Sequence, residues 1–225
     1  HTVYGGKEME NVSLVMKYMP FLIRGLGYTI LVSVAAIAIA VCVGMLLSLL
    51  RLTNNRILNG FVNVYVSFVR GTPVIVQIFI IYYVIAMLGI DVSALLSGII
   101  ALSLNSGGFM SEIIRGGLSA IPQGQYEAAV ALGMPKHKIW LRIIFPQVFH
   151  HVMPQLTSEF INVIKVSPML SIISVVELTR AAQRLVTQTY VTLPFYIAIG
   201  IIYFIVDALL EEVVKYQERK VQQRK

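Results

Sequence analysis

Charged residues are scarce in this sequence, and cysteine is nearly absent. Of 225 residues, 13% are charged and 57% are hydrophobic, whereas about a quarter of the residues in a soluble domain are charged. The single cysteine, Cys42, excludes a disulfide within the chain and a thiol metal site. It is predicted to be a small packing residue. The composition excludes an ordinary soluble domain and predicts an integral membrane protein.

Motifs for nucleotide binding and for hydrolysis are also missing. The sequence has no Gly-x-x-x-x-Gly-Lys-Ser/Thr loop, no Gly-x-Ser-x-Gly and no His-Glu-x-x-His. His150 and His151 are adjacent, so they lie on different faces of a helix, and no third ligand stands at a useful spacing. We therefore expect no catalysis, no metal site and no cofactor in this chain.

The positive charges collect at the ends of apolar runs, although a net charge of +7 could also suggest nucleic acid binding. Apolar runs predict an all-α membrane protein with five transmembrane helices in a single domain, 1–225. The spans are expected at about 22–50, 57–89, 92–117, 147–176 and 185–214, and a cytoplasmic loop is expected at about 118–146.

Lysine and arginine predict the orientation of the spans, because these residues favour the cytoplasmic side. Arg51 to Arg56, the loop at 118–146 and the basic tail from Lys215 are expected inside, and the N-terminus outside. Lys7 to Pro20 is predicted to be a short amphipathic or interfacial piece. His1 to Gly6 are expected to be a tag remnant or a trimmed start.

Two prolines predict breaks in the apolar runs. Pro73 lacks a backbone donor and disfavours helix at Thr72, which predicts a kink or a helix start in the second span. Pro168 predicts that the fourth span breaks one turn beyond Lys165. Arg70, just before the first break, is predicted to snorkel or to cap carbonyls there, in preference to a ligand role.

A polar strip marks the fourth span. Glu159, Asn162 and Lys165 fall within a 120° arc of a helix, and Glu159 is expected to be the only acidic side chain at mid-depth. Ionisable residues inside a span are costly and are often functional. Two interpretations remain open: a substrate site, or a structural Glu159–Lys165 ion pair.

The segment from Glu127 to Pro146 is basic, rich in helix formers and punctuated by glycine and proline. Its Glu-Ala-Ala, Gly133, Ile143 and Pro146 have the spacing of the EAA loop of ABC-importer permeases, which this segment resembles. Phe145 stands where that family usually has leucine. The resemblance implies that a short helix docks on an ATPase through four residues, Glu127, Ala128, Ala129 and Gly133.

Further phrases are similar to the polar amino-acid branch of these permeases. They are Arg70-Gly-Thr-Pro73, Glu112-Ile-Ile-Arg-Gly-Gly117, Ser158-Glu-Phe-Ile-Asn162 and Val175 to Gln183. Val166 and Pro168 depart from that pattern, where an acidic residue and a serine are usual. The resemblance covers about Arg24 to Tyr216.

The family resemblance implies a permease subunit of an amino-acid importer in the bacterial plasma (inner) membrane. Its expected partners are a cytoplasmic ABC ATPase dimer carrying ATP and Mg²⁺, a second permease chain and an extracytoplasmic amino-acid-binding protein. The resemblance is compatible with arginine, histidine, glutamine or cystine as the substrate. A homodimer and a heterodimer both remain open.

An amino acid inside the membrane needs a partner for each of its charges. Glu159 is assigned the ammonium and Asn162 a supporting hydrogen bond. The carboxylate is assigned to Lys165, or to free backbone donors if Lys165 is committed elsewhere. Gln77 and Asn105 are the expected polar contacts from the second and third spans.

Two rival functions fit the composition. One is a secondary transporter or a channel for small polar solutes, for which no inverted repeat is visible. The other is a membrane-embedded enzyme that would use the polar strip for catalysis. Neither rival requires a docking loop of the EAA type in the cytosol, so that loop favours the importer.

Overall fold

The structure, a computed structural model, describes residues 2–53 and 55–222, with residues 2–9, 217–218 and 220–222 described by their backbone alone. All regular elements of these residues are helical, which confirms the predicted all-α class. The α-helices are, in chain order, α1 (Thr2–Leu52), α2 (Arg56–Gly71), α3 (Val74–Met87), α4 (Ala94–Ser119), α5 (Gln123–Ala131), α6 (Lys136–Ile139), α7 (Phe145–Val166), α8 (Leu178–Thr189) and α9 (Leu193–Gln222). The expectation for His1 lies outside the described residues.

Four helical stretches of the described chain are long and apolar enough to cross a membrane. They are Glu10–Leu52, Ala94–Ser119, Lys136–Ile173 and Leu193–Tyr216. A fifth crossing results if α2 and α3 count as one broken span. The number of candidate spans is therefore four to five.

Helix α1 is longer than the predicted first span. Lys7 to Pro20 was expected to form a separate short piece, but it continues into α1 with Pro20 inside the helix. Leu14 and Tyr18 pack on a cluster around the fully buried Phe195 of α9. This tertiary packing keeps the segment helical although its sequence alone favours an interfacial piece.

The predicted second span is two helices whose axes differ by 114°. The break lies at Thr72 and Pro73, and α3 starts directly after the proline, as the sequence predicted. Gln77 holds the break because its Nε2 donates to the carbonyls of Val69 (2.9 Å) and Thr72 (3.1 Å). The expected carbonyl-capping role thus belongs to Gln77 and not to Arg70.

A 3₁₀ helix, Ser167–Ile173, follows α7, which confirms the break predicted at Pro168. A π-helical turn, Trp140–Ile144, joins α6 to α7.

The start predicted for the fifth span, residue 185, is wrong. Leu185 lies inside α8, which ends at Tyr190 in a left-handed conformation with φ of 59°. Helix α9 begins at Leu193. An uncharged run alone cannot reveal such a turn between two helices.

Helix α4 lies at the centre of the molecule and contacts α1, α2, α3 and α7. Glycines allow the closest approach to α1, since a Cβ at Gly44 would lie 2.7 Å from Cβ of Met110, and a Cβ at Gly107 would lie 2.6 Å from Val43. Small residues at helix contacts are typical of membrane proteins. The close contact holds the polar residues of α4 in fixed positions.

Glu177 caps α8 and ties it to α9 from a fully buried position. Its carboxylate accepts the backbone N–H groups of Thr179 (2.8 Å) and Arg180 (2.7 Å), which caps α8. The Tyr203 hydroxyl of α9 donates to the same carboxylate (2.9 Å), and the backbone N–H of Leu178 donates to Thr29 of α1 (3.1 Å). The charges of Glu177, Arg180 and Arg184 alone predict an amphipathic outside segment, and the burial of Glu177 differs from that prediction.

Candidate functional site

Glu159 is a buried acidic residue of the predicted polar strip. Its side chain lies on α7, and the residue is only 9% exposed. The side chains of Ser106 on α4 and Asn162 on α7 interact with the carboxylate. Its Oε1 atom is buried and has no hydrogen-bond partner among the described residues. This carboxylate oxygen is therefore unsatisfied among the described residues.

Lys165 does not pair with Glu159. Its Nζ lies 2.9 Å from Oδ1 of Asp207 on α9, so the structural Glu159–Lys165 ion pair considered from the sequence is wrong. Asp207 is a second acidic side chain next to the polar strip, on a neighbouring helix. Spacing along the chain could not reveal this partner, because it lies on a different helix and follows directly after an uncharged run.

Gln77 and Asn105 meet across the contact between α3 and α4. The Asn105 Nδ2 donates to the Gln77 Oε1 (3.0 Å), and both residues are buried. Since the Gln77 amide also donates to the helix break, this pair has a structural role. Asn105 thus faces α3, while the neighbouring Ser106 faces Glu159. The sequence missed Ser106, which is one of several serines on α4.

A cleft of about 350 Å³ lies between α7 and α9 and exposes the rest of the polar strip. It is lined by Ser158, Ile161, Asn162, Lys165, Glu211, Val214 and Lys215. Asn162 therefore reaches both the cleft and the Glu159 carboxylate. The structure brings Glu159 and Asn162 together and commits Lys165 to Asp207.

The segment predicted to dock on a partner contains α5 and a glycine turn. Gly133 has φ of 72°, the left-handed conformation that favours glycine. Its N–H donates to the carbonyl of Val130 (2.9 Å), and the N–H of Met134 donates to that of Ala129 (3.1 Å). These two bonds form the Schellman motif that ends a helix, so α5 ends at the turn through Gly133.

The two faces of α5 differ in exposure. Ala129 was expected to be one of the four docking residues, but it is buried at 3% exposure against a cluster that includes Ile139 and Val148, so its side chain packs inside the chain. Glu127 and Ala128 are exposed. Leu132, directly after α5, is 81% exposed.

Comparisons with known proteins agree on one family. The sequence matches the binding-protein-dependent transport system inner membrane component over residues 40–223. It is 37% identical to the putative glutamine transport system permease protein of Rickettsia felis, with 92% of this chain and 97% of that protein covered. It is 34% identical to the arginine transport system permease protein of Bacillus subtilis, with 93% and 96% covered.

A solved structure has the same fold. The crystal structure of an amino acid ABC transporter with histidines superimposes with a TM-score of 0.87 at 33% identity. The match covers 92% of this chain and 96% of that chain. The arrangement of helices described above is therefore that of a known transporter subunit.

Proposed function

Because the chain belongs to the family of binding-protein-dependent transport system inner membrane components, we propose that a polar or charged amino acid passes through it in contact with Glu159. The chain is a multi-pass inner-membrane protein and a permease subunit of an amino-acid ABC importer, while ATP hydrolysis belongs to a separate subunit. The family implies an ATPase and a substrate-binding protein as partners.

The unpartnered Oε1 of Glu159 is the observation that carries this proposal. An ionised carboxylate within a span costs several kcal/mol unless another group compensates it. Ser106 and Asn162 supply part of that compensation. The ammonium group of an amino acid, or a cationic side chain, would supply the rest. Glu159 would then select substrates that carry a positive charge at this position.

The carboxylate of the substrate needs a different partner from the one first expected. Lys165 already pairs with Asp207, so we assign the substrate carboxylate to free backbone donors. The Gln77 and Asn105 side chains are occupied by each other and by the helix break. In this proposal, Gln77 and Asn105 lie beside the route of the substrate and hold α3 and α4 in place.

The substrate class follows from Glu159 and from the relatives. Those relatives are named for glutamine and for arginine, and both amino acids carry the α-ammonium that Glu159 would bind. A basic side chain could occupy the same carboxylate instead. We therefore propose transport of polar or basic amino acids into the cytoplasm.

The assembly that we propose contains two permease chains and an ATPase dimer that binds ATP and Mg²⁺. The exposed Glu127, Ala128 and Leu132 form the surface of α5 and its turn that would enter a groove on the ATPase. The N-terminus would lie outside and the C-terminal tail in the cytoplasm, in agreement with the basic residues at the inner ends of the spans.

The test is the substitution Glu159→Gln in the complete transporter. It removes the charge but keeps the size, and a hydrogen bond to a charged group contributes about 1.5–3 kcal/mol. We expect uptake to fall at least about tenfold, with assembly and basal ATP hydrolysis preserved. Glu212→Gln, at an exposed carboxylate of α9, is the matched control and should transport normally. Unchanged uptake by Glu159→Gln would place the ammonium site elsewhere.

A further inference from the structure

A cluster of three arginines surrounds a single carboxylate where α1, α2 and α4 meet. Arg115 donates to Oε2 of Glu112 from Nε (3.0 Å) and Nη2 (2.8 Å), and Arg51 donates to Oε1. The Nη1 of Arg70 is 3.8 Å from the same carboxylate, which is too far for a hydrogen bond. Glu112 thus satisfies two arginines and leaves the third without a hydrogen-bonded anion.

The arginines line an open cleft of about 850 Å³. Its lining contains no acidic residue besides Glu112, and the other members are Asn59, Asn63, Val66, Ser67 and Gly71. Three guanidinium groups against one carboxylate leave a surplus of two positive charges. Arg70 and Arg115 are each 55% exposed toward solvent. Arg51 is 16% exposed, and its buried Nε has no hydrogen-bond partner among the described residues.

The carbonyl-capping role that the sequence suggested for Arg70, as one of two structural roles, is filled by another residue. The carbonyls at the break between α2 and α3 accept from Gln77, so Arg70 is not needed to cap them. Its guanidinium faces a cleft that already holds two like charges. Such an arrangement is stabilised by an anion that accepts several N–H groups at once.

We propose that this cleft is a binding site for an oxyanion, either a carboxylate or a phosphate group, held by Arg70 together with Arg115 and Arg51. The planar guanidinium fork matches both groups. The source is a free anion in the cytosol or the phosphate of a membrane lipid. This site is separate from Glu159, since Glu112 lies six positions further along α4 than Ser106. It does not depend on the proposed ammonium site.

The experiment compares the thermal unfolding of the purified transporter with phosphate, acetate or chloride at equal ionic strength, in discs of a neutral lipid. We expect phosphate, acetate or both to raise the unfolding temperature by about 2–4 °C relative to chloride. Arg70→Gln should remove this shift. Arg56→Gln, an exposed arginine on the same helix outside the cleft, is the matched control and should retain it.

A second variant supplies the anion from within the chain. Ser67 is exposed and lines the cleft, so Ser67→Glu adds a carboxylate next to the arginines. The unfolding temperature in chloride should then rise, and added phosphate should have no further effect. The proposal would be overturned if Ser67→Glu had a lower unfolding temperature than the wild type and if Arg70→Gln kept the full phosphate shift.

The lipid source is tested in discs that contain phosphatidylglycerol in place of the neutral lipid. If phosphatidylglycerol stabilises the wild type and free anions do not, and Arg70→Gln loses that stabilisation, the bound oxyanion is a lipid phosphate. If neither free anions nor phosphatidylglycerol act through Arg70, the cleft has no oxyanion site.

Discussion

The carboxylate of Glu177 is buried although its neighbours Arg180 and Arg184 suggested a position at the surface. Burial raises the pKa of this carboxyl above its ordinary value of 4.5, and the N–H groups of Thr179 and Arg180 together with the Tyr203 hydroxyl oppose the shift only in part. The folded protein therefore holds this proton more tightly than the unfolded chain does.

This shift predicts how stability changes with pH. The contribution of Glu177 is complete below pH 4.5, the ordinary value of this group, and is lost as the pH rises through the higher pKa of the folded state. The unfolding temperature of the wild type should therefore fall relative to that of Glu177→Gln as the pH rises above 4.5. Thermal unfolding of both proteins across this range measures the difference, and parallel curves would contradict the assignment.

The residues of the candidate site were predicted unequally. Glu159 and Asn162 share one face of one helix, and helical spacing reveals such a pair from sequence. Ser106 contacts Glu159 from α4, and Asp207 contacts Lys165 from α9. Spacing within one helix cannot reveal contacts between helices. Cys42 is a similar case, since it was expected to pack but is exposed in the structure.

At the scale of helices, the breaks that depend on local chemistry were predictable. Pro73 and Pro168 each remove a backbone donor, and Gly133 permits a left-handed turn. The turn at Tyr190 was not predictable because a tyrosine seldom adopts a positive φ. The continuity of α1 through Pro20 was also missed, because contacts with α9 stabilise it.

Gly133 carries a prediction about docking to the ATPase. No atom lies within 4 Å of a Cβ placed there, so Gly133→Asp costs the permease only the strain of the left-handed turn, about 1–2 kcal/mol. The added side chain and charge would nevertheless stand at the proposed docking surface. We expect uptake to be lost while the membrane fold is retained, and capture of the ATPase by the purified permease should weaken.

Gly124→Asp is the control for this prediction. Gly124 is exposed in the first turn of α5, has open space around it, and gains the same charge without a positive φ. It should keep both transport and ATPase capture. Normal transport by Gly133→Asp with the ATPase still bound would show that the docking surface lies elsewhere.

For the whole molecule, composition was enough to predict the class but not the path of the chain. Scarce charge and long apolar runs predicted a membrane protein made of helices, and the family comparisons agree with this. Composition did not predict the course of α2 and α3, because a turn of 114° fits a broken span or a re-entrant loop. Apolar composition is the same in both cases, so sequence does not separate them.

Topology decides between the two cases. If α2 and α3 cross the membrane together, the loop at Asp91 lies outside and Lys138 lies inside, as the basic residues near Lys138 favour. If the pair is re-entrant, Asp91 stays on the side of Arg51, and α4 then carries Lys138 to the opposite side. The two arrangements place Asp91 and Lys138 differently relative to Arg51, although both put these two residues on opposite sides of the membrane.

Cysteine labelling in intact cells measures these positions. Cys42 is exposed, so single cysteines are introduced at Asp91, Lys138 and Thr53 in a Cys42→Ser background. For five spans, an impermeant thiol reagent should label Asp91→Cys from outside, and should reach Thr53→Cys and Lys138→Cys only after the membrane is opened. Labelling of Lys138→Cys in intact cells would overturn the five-span topology. It would also place the α5 surface on the side of the membrane where no ATP is available to a docked ATPase.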